Sequence, residues 1–174
     1  VNHLSKPDQL KLINGTAEAI RKINRSGLLT IVITNQPVIA RGDVTWEGLK
    51  KIHAKLDHDL GLNNAYIDKI YICPHHPDKG FSGEVEDFKV KCNCRKPKTE
   101  LIDRAVQELQ INRKTSWFIG DSTSDILAGK NAGLHTILVR TGHGGNDAKY
   151  SVKPDFIFPD LSAAIDWIFN EYKK

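Results

Sequence analysis

The chain has 174 residues, enough for one domain with a sizeable core, and its 25 basic and 21 acidic residues leave a mild net charge of +4. No apolar run approaches the ~18 residues that a membrane span needs, and Lys and Arg form no basic block, which favours a small anionic substrate over nucleic acid or a membrane. Separately, we expect the protein to be cytoplasmic and, as a small domain, to act as a monomer. Methionine is absent, so we expect that Val1 is not the natural start of the chain.

The predicted elements alternate between helices and strands. Strands are predicted from β-branched and apolar runs, and helices from apolar residues at helical spacing. In chain order they are a helix over 14–26, a strand over 28–34, a helix over 45–60, a strand over 67–73, a helix over 98–109, a strand over 116–120, a turn and helix over 121–132, strands over 135–139 and 155–158, and a helix over 161–172. This order predicts right-handed βαβ crossovers and a doubly wound parallel sheet in one α/β domain.

Polar groups collect directly after the predicted strands. In parallel α/β sheets, ligands bind beyond the carboxyl ends of the strands, so chemistry is expected at these positions. They are Thr34-Asn35-Gln36, Cys73-Pro74-His75, Asp121 with Asp125, and Arg140-Thr141-Gly142.

A metal-binding pattern follows the strand over 67–73. Cys73-x-His75 and Cys92-x-Cys94 offer four soft or borderline ligands in two close pairs. Such a set suits tetrahedral Zn²⁺ and leaves no position for water, which indicates a structural site. His75 is preferred to His76 because its spacing matches that of the second pair. The alternative is three buried thiols near an unrelated histidine.

Asp121 follows the predicted strand over 116–120, and Asp125 lies four residues further on. An aspartate at the end of a buried strand presents a hard oxygen ligand for Mg²⁺, and the second can orient it or the waters of the metal. The alternative is that Asp121 only caps the following helix.

Two further groups suit a phosphate. Thr34 and Asn35 supply a hydroxyl and backbone N–H groups at a strand end, although a plain turn would use the same residues. Arg95 and Lys96 lie between the last cysteine and a proline, and a guanidinium with an ammonium can bind phosphate and stabilise the charge of phosphoryl transfer. The alternative is a solvated basic pair.

In this order, the pieces resemble the haloacid dehalogenase superfamily of phosphohydrolases. Thr34 matches the second motif of that superfamily, Lys96 the third, and Asp121 with Asp125 the fourth. Four stretches are similar to the D-glycero-D-manno-heptose 1,7-bisphosphate phosphatases, whose zinc loop the histidinol-phosphate phosphatases share: TNQPVIARG (34–42), CPHHP (73–77), CNCRKPK (92–98) and IGDSTSDILAGKNAG (119–133). The resemblance covers nearly all of the chain and implies a Rossmann-like fold with a zinc loop and no large cap domain.

The resemblance also implies Mg²⁺-dependent hydrolysis of a sugar phosphate through a covalent aspartyl-phosphate, in the carbohydrate metabolism of lipopolysaccharide. Thr34 would bind the transferring phosphoryl group, and Lys96 would stabilise its charge and the nucleophile. Asp121 would hold Mg²⁺, with support from Asp125. The rest of the substrate would contact the side chains of Asn35, Arg41 and Arg95.

The chain departs from the family pattern in two places. Ser122 stands where the resemblance leads us to expect a lysine that grips substrate. The first motif, Asp-x-Asp-Gly-Thr/Val at a strand end, is absent, and the one Asp-x-Asp, Asp57-His58-Asp59, lies within the helix over 45–60. We therefore expect the first strand and its nucleophile upstream of Val1, and no turnover by these 174 residues alone.

Three functions stay open at this point. The first is a heptose-bisphosphate phosphatase, and the second is a histidinol-phosphate or other small-molecule phosphatase. The third is a catalytically silent, zinc-stabilised binding domain that keeps the anion pocket. The physical argument favours an enzyme that continues upstream, because loss of a central strand would leave unpaired ladders and an unfilled core.

Overall fold

The computed structural model describes residues 4–172. The chain divides into two compact units, Val1–Cys92 and Asn93–Lys174, and each is described by itself. Val1 and Asn2, expected to follow the upstream strand directly, lie outside the described residues. That the whole chain is one phosphatase domain stays a prediction.

Over residues 4–92, the first unit carries two parallel strands and three helices. Its strands pair in register, with Asn35 opposite Cys73, so their carboxyl ends lie side by side. The elements are α1 (Thr16–Arg25), β1 (Ile31–Asn35), α2 (Pro37–Ala40), α3 (Trp46–Gly61) and β2 (Lys69–Cys73), with 3-10 turns at Pro7–Gln9 and Glu86–Phe88.

Local chemistry sets the limits of these elements. Helix α3 begins where the Thr45 hydroxyl accepts a hydrogen bond from the N–H of Gly48 at 3.0 Å. Strand β1 begins three residues later than predicted, because Leu28 and Leu29 are exposed and the N–H of Thr30 bonds to the Asp68 side chain. Residues of α2, of α3 and of the loop between them form a buried apolar cluster: Val38, Ile39, Val44, Leu49 and Ile52.

The second unit carries a three-stranded parallel sheet in the order β3-β4-β5. Its elements are α4 (Glu100–Leu109), β3 (Trp117–Gly120), α5 (Thr123–Asn131), β4 (His135–Val139), β5 (Phe156–Phe158) and α6 (Leu161–Trp167). A 3-10 turn at Arg113–Thr115 precedes β3, and the last helix continues as a π-helical turn over Ile168–Tyr172.

Helix α5 packs closely on strands β3 and β4. A Cβ atom at Gly129 would lie 2.7 Å from Thr136 Cγ2 and 2.9 Å from Phe118 Cβ, so this approach requires a glycine. Thr136 is fully buried beneath the helix. The start of α5 lies near the carboxyl end of β3 because only Asp121 and Ser122 separate the two elements along the chain.

The predicted α/β class with parallel strands is confirmed, and each predicted strand overlaps an observed one. The strands of the described residues form two hydrogen-bonded parallel sheets, one in each unit. The short helix α2 was not predicted, because a four-residue element is too short to show a helical period. Within residues 4–172, every helix is too short or too polar to cross a bilayer.

Candidate active site and metal centre

Asp121 lies immediately after β3 and is half-buried. Its Oδ2 accepts a hydrogen bond from the backbone N–H of His143 at 2.7 Å. Its carbonyl oxygen accepts a second one from the N–H of Gly145 at 2.8 Å. Both donors belong to the loop that follows β4, so this loop holds the carboxylate that the sequence predicts as the Mg²⁺ ligand.

The loop after β4 approaches Asp121 so closely that it needs a glycine. Gly142 has a φ of +66°, and a Cβ atom there would lie 2.2 Å from Asp121 Oδ2. Any side chain at position 142 would therefore displace the carboxylate. The Gly142-His143-Gly144-Gly145 run was singled out in the sequence only at its first residue.

Asp125 has both carboxylate oxygens engaged. Oδ2 accepts hydrogen bonds from the N–H of Ser122 at 3.1 Å and from its hydroxyl at 2.6 Å, in a capping box at the start of α5. Oδ1 lies 2.7 Å from Lys96 Nζ. Asp125 therefore orients the Lys96 ammonium, and Ser122 stabilises the helix start.

This pairing also explains why β3 ends in a glycine. A Cβ atom at Gly120 would lie 2.3 Å from Asp125 Cβ and 2.7 Å from its Cγ. Asp125 is buried, with 6% of its surface exposed. Position 120 must therefore stay without a side chain for the Asp125–Lys96 pair to form.

Thr34 and Asn35 end β1 in the first unit. The Thr34 hydroxyl accepts a hydrogen bond from Gln36 Nε2 at 3.3 Å, and the N–H of Gln36 donates to the carbonyl of Cys73 at 2.8 Å. Gln36 thus ties the predicted phosphate-binding turn to the end of β2. The Gln36 side chain donates to the Thr34 hydroxyl oxygen, so the hydroxyl proton is not used in this bond.

Arg41 follows α2 and is held by the loop beyond β2. Its Nη2 donates to His76 Nε2 at 3.2 Å, and its guanidinium carbon lies 4.7 Å from the centre of the Phe81 ring. The backbones meet closely beside it, since a Cβ atom at Gly42 would lie 1.8 Å from the carbonyl oxygen of Gly83. The predicted substrate contact is therefore positioned by residues 76–83.

The same loop is organised around Lys89, whose side chain is 1% exposed. Its ammonium donates to the carbonyl of Asp78, lies 3.2 Å from Glu84 Oε2 and lies 4.7 Å from the Phe81 ring centre. Hydrogen bonds from the N–H of Phe81 and from Lys89 hold the pKa of Glu84 below its usual value. Sequence reasoning missed Lys89 because nothing local distinguishes it from a surface lysine.

The four predicted zinc ligands lie together. Their ligand atoms all fall within 4.8 Å of one another, in a group that we call the Cys/His group: Cys73, His75, Cys92 and Cys94. Cys73 Sγ lies 3.8 Å from His75 Nδ1 and 3.6 Å from Cys92 Sγ. The three cysteines form no disulfide bond within the described chain. A donor set of three sulfurs and one imidazole nitrogen at this spacing fits a tetrahedral zinc ion.

Asp147 is a second residue that the sequence did not indicate. Its Oδ1 accepts from the N–H of Thr123 at 2.7 Å, and its Oδ2 accepts from the Thr123 hydroxyl at 2.8 Å. Burial acts to raise the pKa of this carboxyl, but the two hydrogen bonds outweigh it and lower the pKa. Thr123 is the first residue of α5, so Asp147 ties the loop after β4 to that helix.

Of the predicted site residues, Lys96 thus contacts Asp125, and the four residues of the Cys/His group lie close together. Arg95 lies half-buried next to Lys96 in the chain, and Asp121 lies at the end of β3. The predicted residues that belong to the first unit outside the Cys/His group are Thr34, Asn35 and Arg41.

Comparison with known proteins points to one group of enzymes. A family model described as HAD-hydrolase-like matches residues 93–164. The D-glycero-β-D-manno-heptose-1,7-bisphosphate 7-phosphatase of Escherichia coli is 35% identical over 164 residues, which cover 94% of this chain and 78% of that protein. The corresponding protein of Pasteurella multocida is 37% identical over 137 residues, which cover 78% of this chain and 71% of that protein.

A solved structure is similar over the same range. It is the D,D-heptose 1,7-bisphosphate phosphatase from B. bronchiseptica, complexed with magnesium and phosphate. The TM-score is 0.85 at 26% sequence identity, and the match covers 97% of this chain and 89% of that chain.

Proposed function

Since this chain belongs to the D-glycero-β-D-manno-heptose-1,7-bisphosphate 7-phosphatase family of haloacid dehalogenase-like hydrolases and is a phosphatase, we propose that it hydrolyses D-glycero-D-manno-heptose 1,7-bisphosphate with the help of Mg²⁺. The observation that carries the proposal is the Lys96–Asp125 pair, which holds an ammonium 2.7 Å from a buried carboxylate near the end of β3. Such a fixed cation is suited to the charge that develops on a transferring phosphoryl group.

Each residue of the second unit has a distinct role in this proposal. Lys96 stabilises the negative charge of the phosphoryl group, and Asp125 keeps the Lys96 ammonium in place. Asp125 has both oxygens engaged, so it acts on the site through Lys96 and Ser122 rather than as a direct metal ligand. Arg95 contacts the remainder of the sugar phosphate.

The first unit supplies the groups that bind the substrate. The Thr34 hydroxyl, held by Gln36, donates to an oxygen of the transferring phosphoryl group. Asn35 and Arg41 contact the rest of the substrate. The guanidinium of Arg41 is held in place before substrate binds, because it contacts His76 and Phe81.

Asp121 would hold the Mg²⁺ ion. One oxygen of its carboxylate is engaged by the N–H of His143, and a carboxylate oxygen is the ligand that Mg²⁺ takes in phosphoryl-transfer sites. When bound, the ion neutralises charge on the phosphate oxygens. Gly142 lies against the Asp121 carboxylate and leaves room for it because it has no side chain.

The Cys/His group would hold one Zn²⁺ ion in a structural role. All four ligands come from the protein, so no position remains for a water or a substrate. Zinc would fix the ends of the segment between Cys73 and Cys94, and with it the loop that contacts Arg41.

The covalent step of the proposed mechanism needs an aspartate that these strands do not carry. Nucleophilic attack by a carboxylate on phosphorus would form an aspartyl-phosphate and break the bond from phosphorus to the sugar oxygen, which would take up a proton and leave as the sugar monophosphate. Water would then attack the aspartyl-phosphate, release phosphate and restore the carboxylate. The Asp57-His58-Asp59 run lies within α3 and does not follow a strand along the chain. We therefore propose that residues 1–174 by themselves do not turn over substrate.

The test is phosphate release from heptose 1,7-bisphosphate by the enzyme as its gene encodes it, with and without Mg²⁺. Asp121→Asn is expected to lower kcat by about 100-fold or more. Asp57→Asn serves as the matched control, because Asp57 is an exposed carboxylate on α3 and its loss should leave the rate unchanged. Faster turnover of histidinol phosphate than of the heptose substrate would overturn the proposed substrate. Full activity of Asp121→Asn would overturn the role of Asp121.

A further inference from the structure

The loop between β4 and β5 folds back over Asp121. We call residues 141–150 the clasp. The clasp donates the N–H of His143 to Asp121 Oδ2 at 2.7 Å and the N–H of Gly145 to the Asp121 carbonyl at 2.8 Å. These two bonds fix both the main chain and the side chain of Asp121 from the same side.

The two oxygens of the Asp121 carboxylate therefore differ. Oδ2 is bonded to the clasp and pressed by Gly142, where a Cβ atom would lie only 2.2 Å away. Oδ1 receives no hydrogen bond from the residues that the structure describes. A cation can reach Oδ1 without disturbing the clasp, whereas a cation that uses both oxygens must also approach Oδ2, beside which the N–H of His143 and Gly142 already lie.

The clasp is itself anchored at one point on α5. Asp147 accepts from the N–H and the hydroxyl of Thr123, at 2.7 and 2.8 Å, and the N–H of Tyr150 donates to the same hydroxyl at 3.2 Å. Thr123 is two residues from Asp121 along the chain. The carboxylate of Asp147 therefore fixes the distance between the clasp and Asp121.

We propose that the clasp, anchored by Asp147 on Thr123, restricts Asp121 to binding a metal through one oxygen and thereby selects Mg²⁺ over Ca²⁺. Mg²⁺ requires octahedral geometry with short bonds to single oxygens, whereas Ca²⁺ is larger and accepts carboxylates through both oxygens. Asp147 is a positioning residue in this scheme. The inference rests on the proposed role of Asp121 as the Mg²⁺ ligand.

The experiment compares Mg²⁺ and Ca²⁺ affinities by calorimetric titration in the presence of inorganic phosphate. Four proteins are used: the wild type, Asp147→Ala, Asp160→Ala and Asp121→Asn. Asp160→Ala is the matched control, because Asp160 likewise accepts from a backbone N–H at the start of a helix, at 2.9 Å from Ala163, but on α6. Exchange of the His143 amide hydrogen is measured in the same proteins by NMR.

Removing Asp147 is expected to weaken Mg²⁺ binding by about tenfold, as loss of a partner behind a metal ligand commonly does. Ca²⁺ binding should be unchanged or tighter, so the ratio of the two affinities falls. Exchange of the His143 amide should speed up. Asp160→Ala should lower the thermal midpoint and leave the affinity ratio and the His143 exchange at their wild-type values.

The outcomes separate this inference from the proposed function. If Asp121→Asn binds Mg²⁺ as well as the wild type does, the assignment of the metal ligand is overturned. If Asp121→Asn loses Mg²⁺ binding but Asp147→Ala weakens Mg²⁺ and Ca²⁺ equally, Asp147 only stabilises α5 and the selectivity proposal is overturned. An unchanged affinity ratio in Asp147→Ala has the same consequence.

Discussion

Lys96 Nζ and Asp125 Oδ1 lie 2.7 Å apart, and their side chains are only 13% and 9% exposed. The two residues come from a loop before α4 and from the first turn of α5. A pair withdrawn from water in this way is costly to break, because the remaining charge loses both its partner and its solvation. The pair therefore holds the Lys96 ammonium in place, and breaking it is expected to destabilise the second unit.

Asp125→Ala is expected to lower the free energy of unfolding by about 3 kcal/mol, because it leaves the Lys96 ammonium buried without its carboxylate. Adding Lys96→Met should restore part of that loss. The measurement is urea unfolding of the wild type, both single variants and the double variant. Additive effects of the two substitutions would show that the ion pair contributes no coupling energy.

Gly120→Ala tests the close approach beside that pair. The added methyl group would lie 2.3 Å from Asp125 Cβ, so Asp125 must move away from Lys96. We expect a loss of about 1–3 kcal/mol in unfolding free energy, together with reduced kcat. The matched control is Gly61→Ala, since a Cβ atom there meets nothing within 4 Å. Equal stabilities of the two variants would contradict the packing argument.

The two adjacent histidines provide a test of the Cys/His group. His75 Nδ1 lies 3.8 Å from Cys73 Sγ, whereas His76 Nε2 accepts from Arg41. The purified protein should contain one zinc ion per chain by elemental analysis. His75→Ala should lower that content, and His76→Ala should retain it while raising KM through Arg41. Full zinc content in His75→Ala would exclude His75 as a ligand.

Lys89 provides a test of how the loop beside Arg41 is held. Lys89→Met removes the ammonium from Glu84 and from the carbonyl of Asp78, so residues 78–84 should loosen. Tryptic cleavage after Lys79, an exposed residue of this loop, should become faster. Lys89→Arg should keep most of the wild-type resistance.

The control for this experiment is Lys91→Met, which removes an exposed lysine from the same segment. Its cleavage after Lys79 should proceed at the wild-type rate. Equal rates for Lys89→Met and the wild type would show that Lys89 does not organise the loop.

Much of the fold and part of the site follow from the sequence. The β-branched run before Asn35 and the apolar run before Asp121 predict buried strands, and strand ends are where a parallel sheet gathers its polar groups. The spacing of Cys73, His75 and the later cysteine pair predicts their association, because few residue sets suit one metal ion so well.

Other contacts in the structure could not be predicted from the sequence, because no local pattern indicates them. The Lys96–Asp125 pair joins residues that are remote along the chain, and either side chain alone suits a solvated position. The contact from His143 to Asp121 uses a backbone N–H, which any residue except proline could supply. Lys89 is buried by tertiary packing of a loop, whereas a lysine in a polar segment is ordinarily exposed. Such contacts become visible only when the chain is folded.

Asp155 links the start of β5 to the buried Thr136 of β4. Its Oδ2 accepts from the N–H of Thr136 at 2.8 Å and from the hydroxyl at 2.9 Å, and its Oδ1 pairs with the Lys130 ammonium. Burial acts to raise the pKa of Asp155, but the bonds from Lys130 and Thr136 outweigh it and lower the pKa below 3.8. The ionised form is therefore the one that the fold stabilises.

Asp155→Ala should lower the unfolding free energy at neutral pH by about 1–3 kcal/mol, because it leaves the buried N–H of Thr136 without an acceptor. A lowered pKa in the folded protein means that the ionic part of this stabilisation is complete above the unfolded value of 3.8 and is lost as the pH falls through the folded value. The difference between wild type and Asp155→Ala in urea unfolding should thus be constant from pH 7 to about pH 5 and shrink in more acidic solution. If this difference in unfolding free energy grows as the pH falls, the pKa of Asp155 is raised on folding rather than lowered, and the assignment is contradicted.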